Sequence, residues 1–560
     1  MLFLKIKIKR LKQLPLLFLL FFGLHANAQI VVRLADYAKG DGTDETVKIQ
    51  SALDAGKGNP VIVIPEKGKT YYFSSIRIRY SNVHIQGDGS STFKTHPAAP
   101  QIASASYFKI QPTRRFTDTA TIVVKEGSYT FTYPKASSLR VGEILFVAGG
   151  RYFAFGKKPV STQDGWYSRV SKIVGNTVTM EMPAKRSFTS LKIHQYNLIE
   201  NVKISQMRFD FKNRTNGYGV SFMTVSRCRI DSSVIEGTPT SSPSLRVGLQ
   251  LHGVEVTAYK TRVIGGLLTN KIVSGVGYGI NPSGQNITVS HCYVEGWKTR
   301  ICGATREYFS SGTKYLYDTV VSAGGSGAGL DFHPNMSGVM IGNVIRSNEG
   351  DHSINIRSDS AEVSNNDILH RNYNRPGVVR AIYIFETAKK DVLIKNNKIV
   401  VESPPGHNLY SVMLSGNNDA GSWENIKIIN NHLGAKVVVK GNVSGHIEIT
   451  GNYLTTPEGY YSNIDLSGVT SLMRTGTYSI NDNVFINKYA NAYNFSVRTP
   501  SSSKNVAANT TKGSIVNNKT YLVNCSNKNV QYRILNNGNS VVDNKVVDCR
   551  IPPIAPRFVR

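Results

Sequence analysis

Four short segments carry the residue types that do chemistry: Leu330-Asp-Phe-His333, Ile354-Asn-Ile-Arg357, Ile382-Tyr-Ile-Phe385 and Val412-Met-Leu-Ser415. In each, apolar first and third residues alternate with more polar or aromatic ones. An extended chain sends alternate side chains to opposite faces, so the second and fourth residues share the outer face. Stacking the segments predicts two outward columns: Asp331, Asn355 and Tyr383, then His333, Arg357 and Phe385. Arg300, in Thr299-Arg-Ile-Cys302, is expected one level earlier, and Arg380 and Glu386 flank the third segment. Tyr278 and Lys298 lie nearby, with Arg306, Asp351, His352 and Arg371 in neighbouring turns.

This set has the parts for β-elimination from a uronate. The reaction removes the proton next to a carboxylate and expels the glycosidic oxygen. Forked hydrogen bonds from Arg357 and Arg300 would neutralise the carboxylate. His333 is the expected base, because an imidazole titrates close to neutrality. Tyr383 or Tyr278 would protonate the leaving oxygen, and Asp331 would orient His333 or bind a cation. Lys298, Asn355, Arg380 and Glu386 complete the expected substrate contacts. No cofactor is called for; calcium is possible but not indicated, because acids are sparse around the cluster.

Two other chemistries are open. A glycoside hydrolase needs two carboxyl groups, about 5–5.5 Å apart for retention or about 6.5–9.5 Å for inversion. Asp331, Asp351, Asp359 and Glu386 are the acids available. A non-catalytic carbohydrate-binding surface would rely on Phe385 and Asn355 instead. The sequence has no phosphate-binding glycine loop, no serine nucleophile elbow and no CxxC metal site.

The elements that would position these residues repeat. Ser337-Gly-Val-Met-Ile-Gly-Asn-Val-Ile345, Ala361-Glu-Val-Ser-Asn-Asn-Asp-Ile368, Asp391-Val-Leu-Ile-Lys-Asn-Asn-Lys-Ile399, Asn425-Ile-Lys-Ile-Ile-Asn-Asn-His-Leu433 and His446-Ile-Glu-Ile-Thr-Gly-Asn-Tyr-Leu454 share one plan. Each is a strand of period two, an asparagine turn, then a second apolar strand. The turn asparagines Asn343, Asn366, Asn397, Asn431, Asn452 and Asn483 recur at intervals of roughly twenty to thirty-odd residues, the period of a solenoid. Stacked asparagine amides can bond from one coil to the next.

The start of this solenoid resembles a known group. Leu34-Ala-Asp-Tyr-Ala-Lys-Gly-Asp-Gly-Thr-Asp-Glu-Thr-Val47 precedes Val61-Ile-Val-Ile-Pro65 and Val83-His-Ile-Gln-Gly-Asp-Gly89. This resembles the opening of the pectate-lyase-like superfamily, which includes rhamnogalacturonases and epimerase-like proteins. The resemblance implies an all-β, right-handed parallel β-helix. Thr43 or Asp44 would cap a short helix carrying Val47, Ile49, Ala52 and Leu53 over the open end of the coil. The superfamily holds hydrolases, lyases, epimerases and tailspikes, so the motif speaks to fold more than to chemistry. Polygalacturonases of this fold carry an Asn-x-Asp, an Asp-Asp pair, a Gly-His-Gly and an Arg-Ile-Lys, and none is intact here. That departure counts against pectin hydrolysis by their route.

The expected organisation is a signal peptide at 1–28, an N-terminal cap and first coils at 29–114, an inserted antiparallel β domain at 115–195, the main β-helix at 196–550 and a tail at 551–560. Lys5, Lys7, Lys9, Arg10 and Lys12 precede the apolar run Pro15–Leu24, and Ala26-Asn-Ala28 offers small residues for cleavage. In the insertion, Val174-Gly-Asn-Thr177 reads as a hairpin turn, while Arg151–Lys158, Trp166 and Tyr167 are aromatic and basic residues suited to sugars.

Charge sets the partner class. The chain has 66 Lys and Arg against 37 Asp and Glu, a formal +29. Outside the cytoplasm this favours an anionic polysaccharide, of pectin or glycosaminoglycan type, as the substrate of a secreted or periplasmic monomer. Nucleic acid is not expected without a recognisable module or concentrated basic stripe. Five cysteines are too few for a disulfide scaffold. Cys525 and Cys549 could pair, and Cys228, Cys292 and Cys302 are expected to fill the core.

Overall fold

The computed structural model describes residues 29–547 apart from 102–104, 113–114, 120–122, 156–157, 185–186, 190–191, 197, 215, 238–244, 266–276, 304–309, 322–326, 349–351, 373–377, 386–389, 405–407, 416–422, 442, 456–463, 470–476, 488–496, 499–511, 523–539 and 543–544. The expected signal peptide, the tail, and Cys525 and Cys549 lie outside the described residues.

The chain forms a right-handed parallel β-helix. Among the described residues, fifteen short strands stack as one parallel sheet, from Thr70–Phe73 to Lys545–Val547. A second parallel sheet of twenty-eight strands forms the remaining walls of the coil. Pairing keeps apolar residues in line. Phe93, Phe209, Ile235 and Val263 occupy consecutive levels of one column and are fully buried. Each such side chain contributes ~1.5–3 kcal/mol by leaving water. None could do so without the coil above or below it.

The turn into the fifteen-stranded sheet explains the asparagine repeat. One residue per coil sits in the left-handed region, including Asn365, Asn396, Asn430, Asp482 and Asn517 at φ between 53° and 57°. Asn and Asp tolerate that region better than most residues. The residue that follows points inward and joins a ladder. Nδ2 of Asn343, Asn366, Asn397, Asn431, Asn452 and Asn483 each donates to Oδ1 of the next member, ending at Asn518, at 2.8–3.0 Å. The same Oδ1 also accepts the backbone N–H of the preceding member. The ladder continues upward with other residue types. Asn343 Oδ1 accepts from the N–H of Asp318, and Asp318 Oδ1 accepts from the N–H of Cys292 at 2.7 Å.

A second left-handed corner breaks the wall strands of the early coils at Asn82, Asn201, Arg227, Glu255, Asn286 and Gly312. Below it the strands run through the corner. Leu330–Ile341 and His352–Ser364 are long, and their pairing shifts register between Phe332 and Asn335.

At the N-terminus, Thr46–Leu53 is helical and buries Ile49, Ala52 and Leu53. Asp44 Oδ1 accepts the N–H of Thr46 at 3.0 Å. Val47 is 78% exposed, so it does not belong to the apolar face expected for it. Glu45 is fully buried and its carboxylate accepts the N–H groups of Lys39 and Gly40, which folds the Lys39–Thr43 loop around it.

Strands from Arg115–Thr119 to Lys192–Tyr196 form a six-stranded antiparallel sheet. Val174 pairs with Thr177 across a two-residue turn at Gly175-Asn176. This sheet has its own core, with Phe131, Leu145, Val147, Val170 and Val178. Tyr167 stacks on Phe146 at 4.2 Å, and both pack with Ile144 against Val254 of the coil. Tyr167 therefore docks the sheet and is not presented to a sugar. The side chains of Arg151–Trp166 lie outside the described set.

Candidate functional site

The strand register aligns the first of the two expected columns; the expected pairing of His333 with Arg357 is lost, because the register shifts between Phe332 and Asn335. Asp331 pairs with Asn355, Asn355 with Tyr383, and Tyr383 with Met413. Cys302 pairs with Asp331 one level above. A parallel column passes through Tyr278 and Thr299 and, on the later coils, holds His352, Arg380, Tyr410 and Lys436. Adjacent levels are ~4.8 Å apart.

Two residues depart from the expected columns because alternation fails at a corner. Ile301 pairs with Leu330, so Arg300 falls beside Gly329 and not beside Asp331. A Cβ on Gly329 would touch the Ile345 side chain, and one on Gly279 would touch that of Val294, so this column turns inward immediately before another inward residue. Arg300 is fully buried, and its Nη1 donates to the carbonyls of Lys298, Gly327 and Ala328 at 3.1–3.3 Å. Burial lowers its pKa to about 9. Arg300 fixes the turn and is not placed to clamp a substrate carboxylate. Cys302 is fully buried, as expected. It lies in the outward column, where burial and then the charge of Asp331 push its thiol pKa well up.

The upper part of the wall is a sealed polar layer. Asp331 is 4% exposed. Its Oδ1 accepts from Asn355 Nδ2 at 3.2 Å, and its Oδ2 lies 3.4 Å from Arg357 Nη2. Asn281 precedes Cys302 on this wall, receiving His252 Nε2 at 3.0 Å and donating to the carbonyl of Cys302 at 2.8 Å. Asn355 Oδ1 and His352 Nδ1 are buried without a partner among the described residues.

The lower part is a layer of cations laid on rings. Arg357 lies 5.0 Å over Phe385, Arg380 lies 4.4 Å over Tyr383, and Lys436 lies 4.5 Å over Tyr410. Tyr383 stacks on Phe385 at 4.5 Å and contacts the His352 ring at 4.9 Å. Such stacking fixes a guanidinium in place while leaving its edge free to donate. Burial, then the charge of Arg380, lowers the His352 pKa to about 3, so its imidazole is neutral at ordinary pH.

Of the other expected residues, Lys298 supplies a carbonyl to Arg300, and Tyr278 lies in the second column beside Thr299. The His333 side chain and Glu386 lie outside the described residues, as do Asp351 and Arg306. Sequence reasoning placed His352 only in a neighbouring turn. The signal for its true position is the corner, which adds one inward residue between His352 and Asn355.

No protein-family model and no curated protein matches this chain. Among solved structures, the tailspike gp61 of Pseudomonas phage phi297 is similar, with a TM-score of 0.50 and 12% identity over 93% of this chain and 81% of that one. The tailspike gp49 of Pseudomonas phage LKA1 also gives a TM-score of 0.50, with 14% identity over 84% of this chain and 83% of that one. At these identities the likeness establishes the fold. The chain is a right-handed parallel β-helix protein.

Proposed function

We propose that this protein acts outside the cell on an acidic polysaccharide, and that it cleaves uronate linkages by β-elimination along the wall from Asp331 to Lys436. The observation that carries this reading is the row of three cations, Arg357, Arg380 and Lys436, each seated on an aromatic ring. A polymer with spaced carboxylates meets such a row with a cation on three of four successive coils, and the rings offer faces to its sugars. Arg380 or Arg357 neutralises the carboxylate at the cleavage point. A base removes the C5 proton, the electron pair forms the C4–C5 double bond, and the departing oxygen takes the Tyr383 proton. The base is one of two histidines that bracket Asp331: His333, two residues beyond it on the strand, or the neutral His352 one coil on.

A hydrolase would need a second carboxyl group. Between Cys302 and Met413 the outward column holds one carboxylate, Asp331. A binding-only wall is the second reading, favoured by the 4% and 8% exposure of Asp331 and Arg357. One assay separates the three. Incubation with polygalacturonate, alginate and chondroitin sulfate should produce the ultraviolet absorbance of an unsaturated uronate with at least one polymer. Reducing ends without that absorbance would replace the lyase by a hydrolase. Retention of polymer with neither product would leave a binding wall. His333→Ala and His352→Ala then identify the base by which variant loses the ~10²–10⁴-fold that general-base catalysis supplies.

A further inference from the structure

The left-handed turn position that later coils fill with Asn, Asp or Gly is occupied in three consecutive early coils by Lys260, His291 and Tyr317, at φ 47°, 55° and 57°. His tolerates this region better than most residues, but Lys and Tyr are uncommon there, and a backbone held there is costly. All three side chains are exposed, Tyr317 by 56%. They form a continuous ridge with the residues beside them. Tyr259 contacts His291 at 5.4 Å, and His291 contacts Tyr317 at 5.3 Å. Arg229 lies 4.7 Å over the Tyr259 ring and Lys260 lies 5.1 Å from it. The next turn residue is Gly342, where a Cβ would come within 2.5 Å of the Tyr317 ring. Gly342 thus leaves the space in which that ring lies.

We propose that Tyr259, Lys260, His291 and Tyr317 form a second saccharide-binding site, which holds an acidic glycan chain without cutting it. The ridge runs along the turn into the fifteen-stranded sheet, on a different edge of the coil from the Asp331 wall. Its exposed rings suit the apolar faces of sugars, and Lys260 suits their carboxylates or sulfates. Arg229 also pairs with Asp231 at 2.9 Å, so Lys260 is the cation this ridge leaves to the ligand. The ligand class rests on the polysaccharide reading above, but the site does not depend on where or whether cleavage occurs.

The later coils supply the test. Lys260→Asn, His291→Asn and Tyr317→Asn install the residue that the same turn uses at Asn365, Asn396 and Asn430, so the triple variant should fold. Its migration is compared with that of the unaltered protein in native gels containing polygalacturonate, alginate, chondroitin sulfate or, as the neutral control, dextran. At least one acidic polymer should retard the unaltered protein, and the triple variant should lose about tenfold in apparent affinity. Tyr317→Phe should keep most of the binding. Equal retardation of variant and unaltered protein, retardation by no acidic polymer, or equal losses in Tyr317→Phe and Tyr317→Asn would each overturn the proposal. Ridge-dependent retardation in a protein that produces no unsaturated ends would remove the lyase reading and leave the ridge standing.

Discussion

Arg357 reaches one coil back to Asp331, placing Nη2 3.4 Å from Oδ2 with side chains only 10% and 5% exposed, while its guanidinium rests on Phe385 one coil forward. One cation therefore ties three levels of the wall together. Its removal acts on stability and, under the proposed function, on cleavage, and a second substitution is needed to separate the two.

Arg357→Ala should cost about 3–5 kcal/mol in urea unfolding, because it leaves the Asp331 carboxylate buried and uncompensated. Adding Asp331→Asn should recover a large part of that loss without restoring cleavage. Losses that simply add in the double variant would show that the two residues are not coupled.

His352 gives a pH prediction. Its folded pKa is lowered to about 3, against an unfolded value near 6.5. The unfolded chain therefore takes up the proton first on acidification. The stability tied to neutral His352 is complete above pH 6.5 and is lost as pH falls towards 3. His352→Asn should flatten thermal melting across that window. The His352 ring carbons should show no NMR titration between pH 5 and 8.

Asp318 is the one acid in a ladder otherwise built of neutral groups from Asn343 onward. Burial pushes its carboxyl pKa well up, and its Oδ2 is buried without a partner among the described residues. Cys292 and Tyr315 are the titratable groups beside it. The sign is opposite to that of His352. The stabilising neutral form is fully present below pH 3.8, and its contribution is lost as pH rises towards the raised folded value. Asp318→Asn supplies the amide that neighbouring levels use. It should raise stability at pH 7 by roughly 1–3 kcal/mol, with the gain shrinking in acid.

Two adjacent asparagines should behave differently. Asn397 donates to Val363 O and Asn431 Oδ1 and accepts both N–H groups of Asn366. Asn397→Ala orphans several buried groups and should cost at least about 2 kcal/mol. Asn396, at φ 55°, is there for its backbone. Asn396→Gly should be close to neutral, whereas Asn396→Ala should cost about 1 kcal/mol. Chemical denaturation of the three variants checks both statements.

The coil was readable because asparagine marks it. Asn343, Asn366, Asn397, Asn431, Asn452 and Asn483 stand in one stack. Earlier members of that column were hidden, because Asp318 and Cys292 do the same job with other chemistry. The pairing of Asp331, Asn355 and Tyr383 followed from strict alternation within four segments. Arg300 and His352 escaped it for one reason. Near the corner two successive residues face inward, and a period of two then assigns every residue before them to the wrong side. Val47 was misassigned because an eight-residue helix has room for only a narrow apolar stripe.

The stack from Asn343 to Asn518 has a consequence for how such a molecule can change. Every level offers its neighbours the same amide, donor below and acceptor above, so the seam between levels is blind to which one comes next. A whole turn of chain could be excised or duplicated there without leaving an unmatched group. Reach along a substrate would then lengthen or shorten in whole storeys, while the chemistry on each floor stayed as it was.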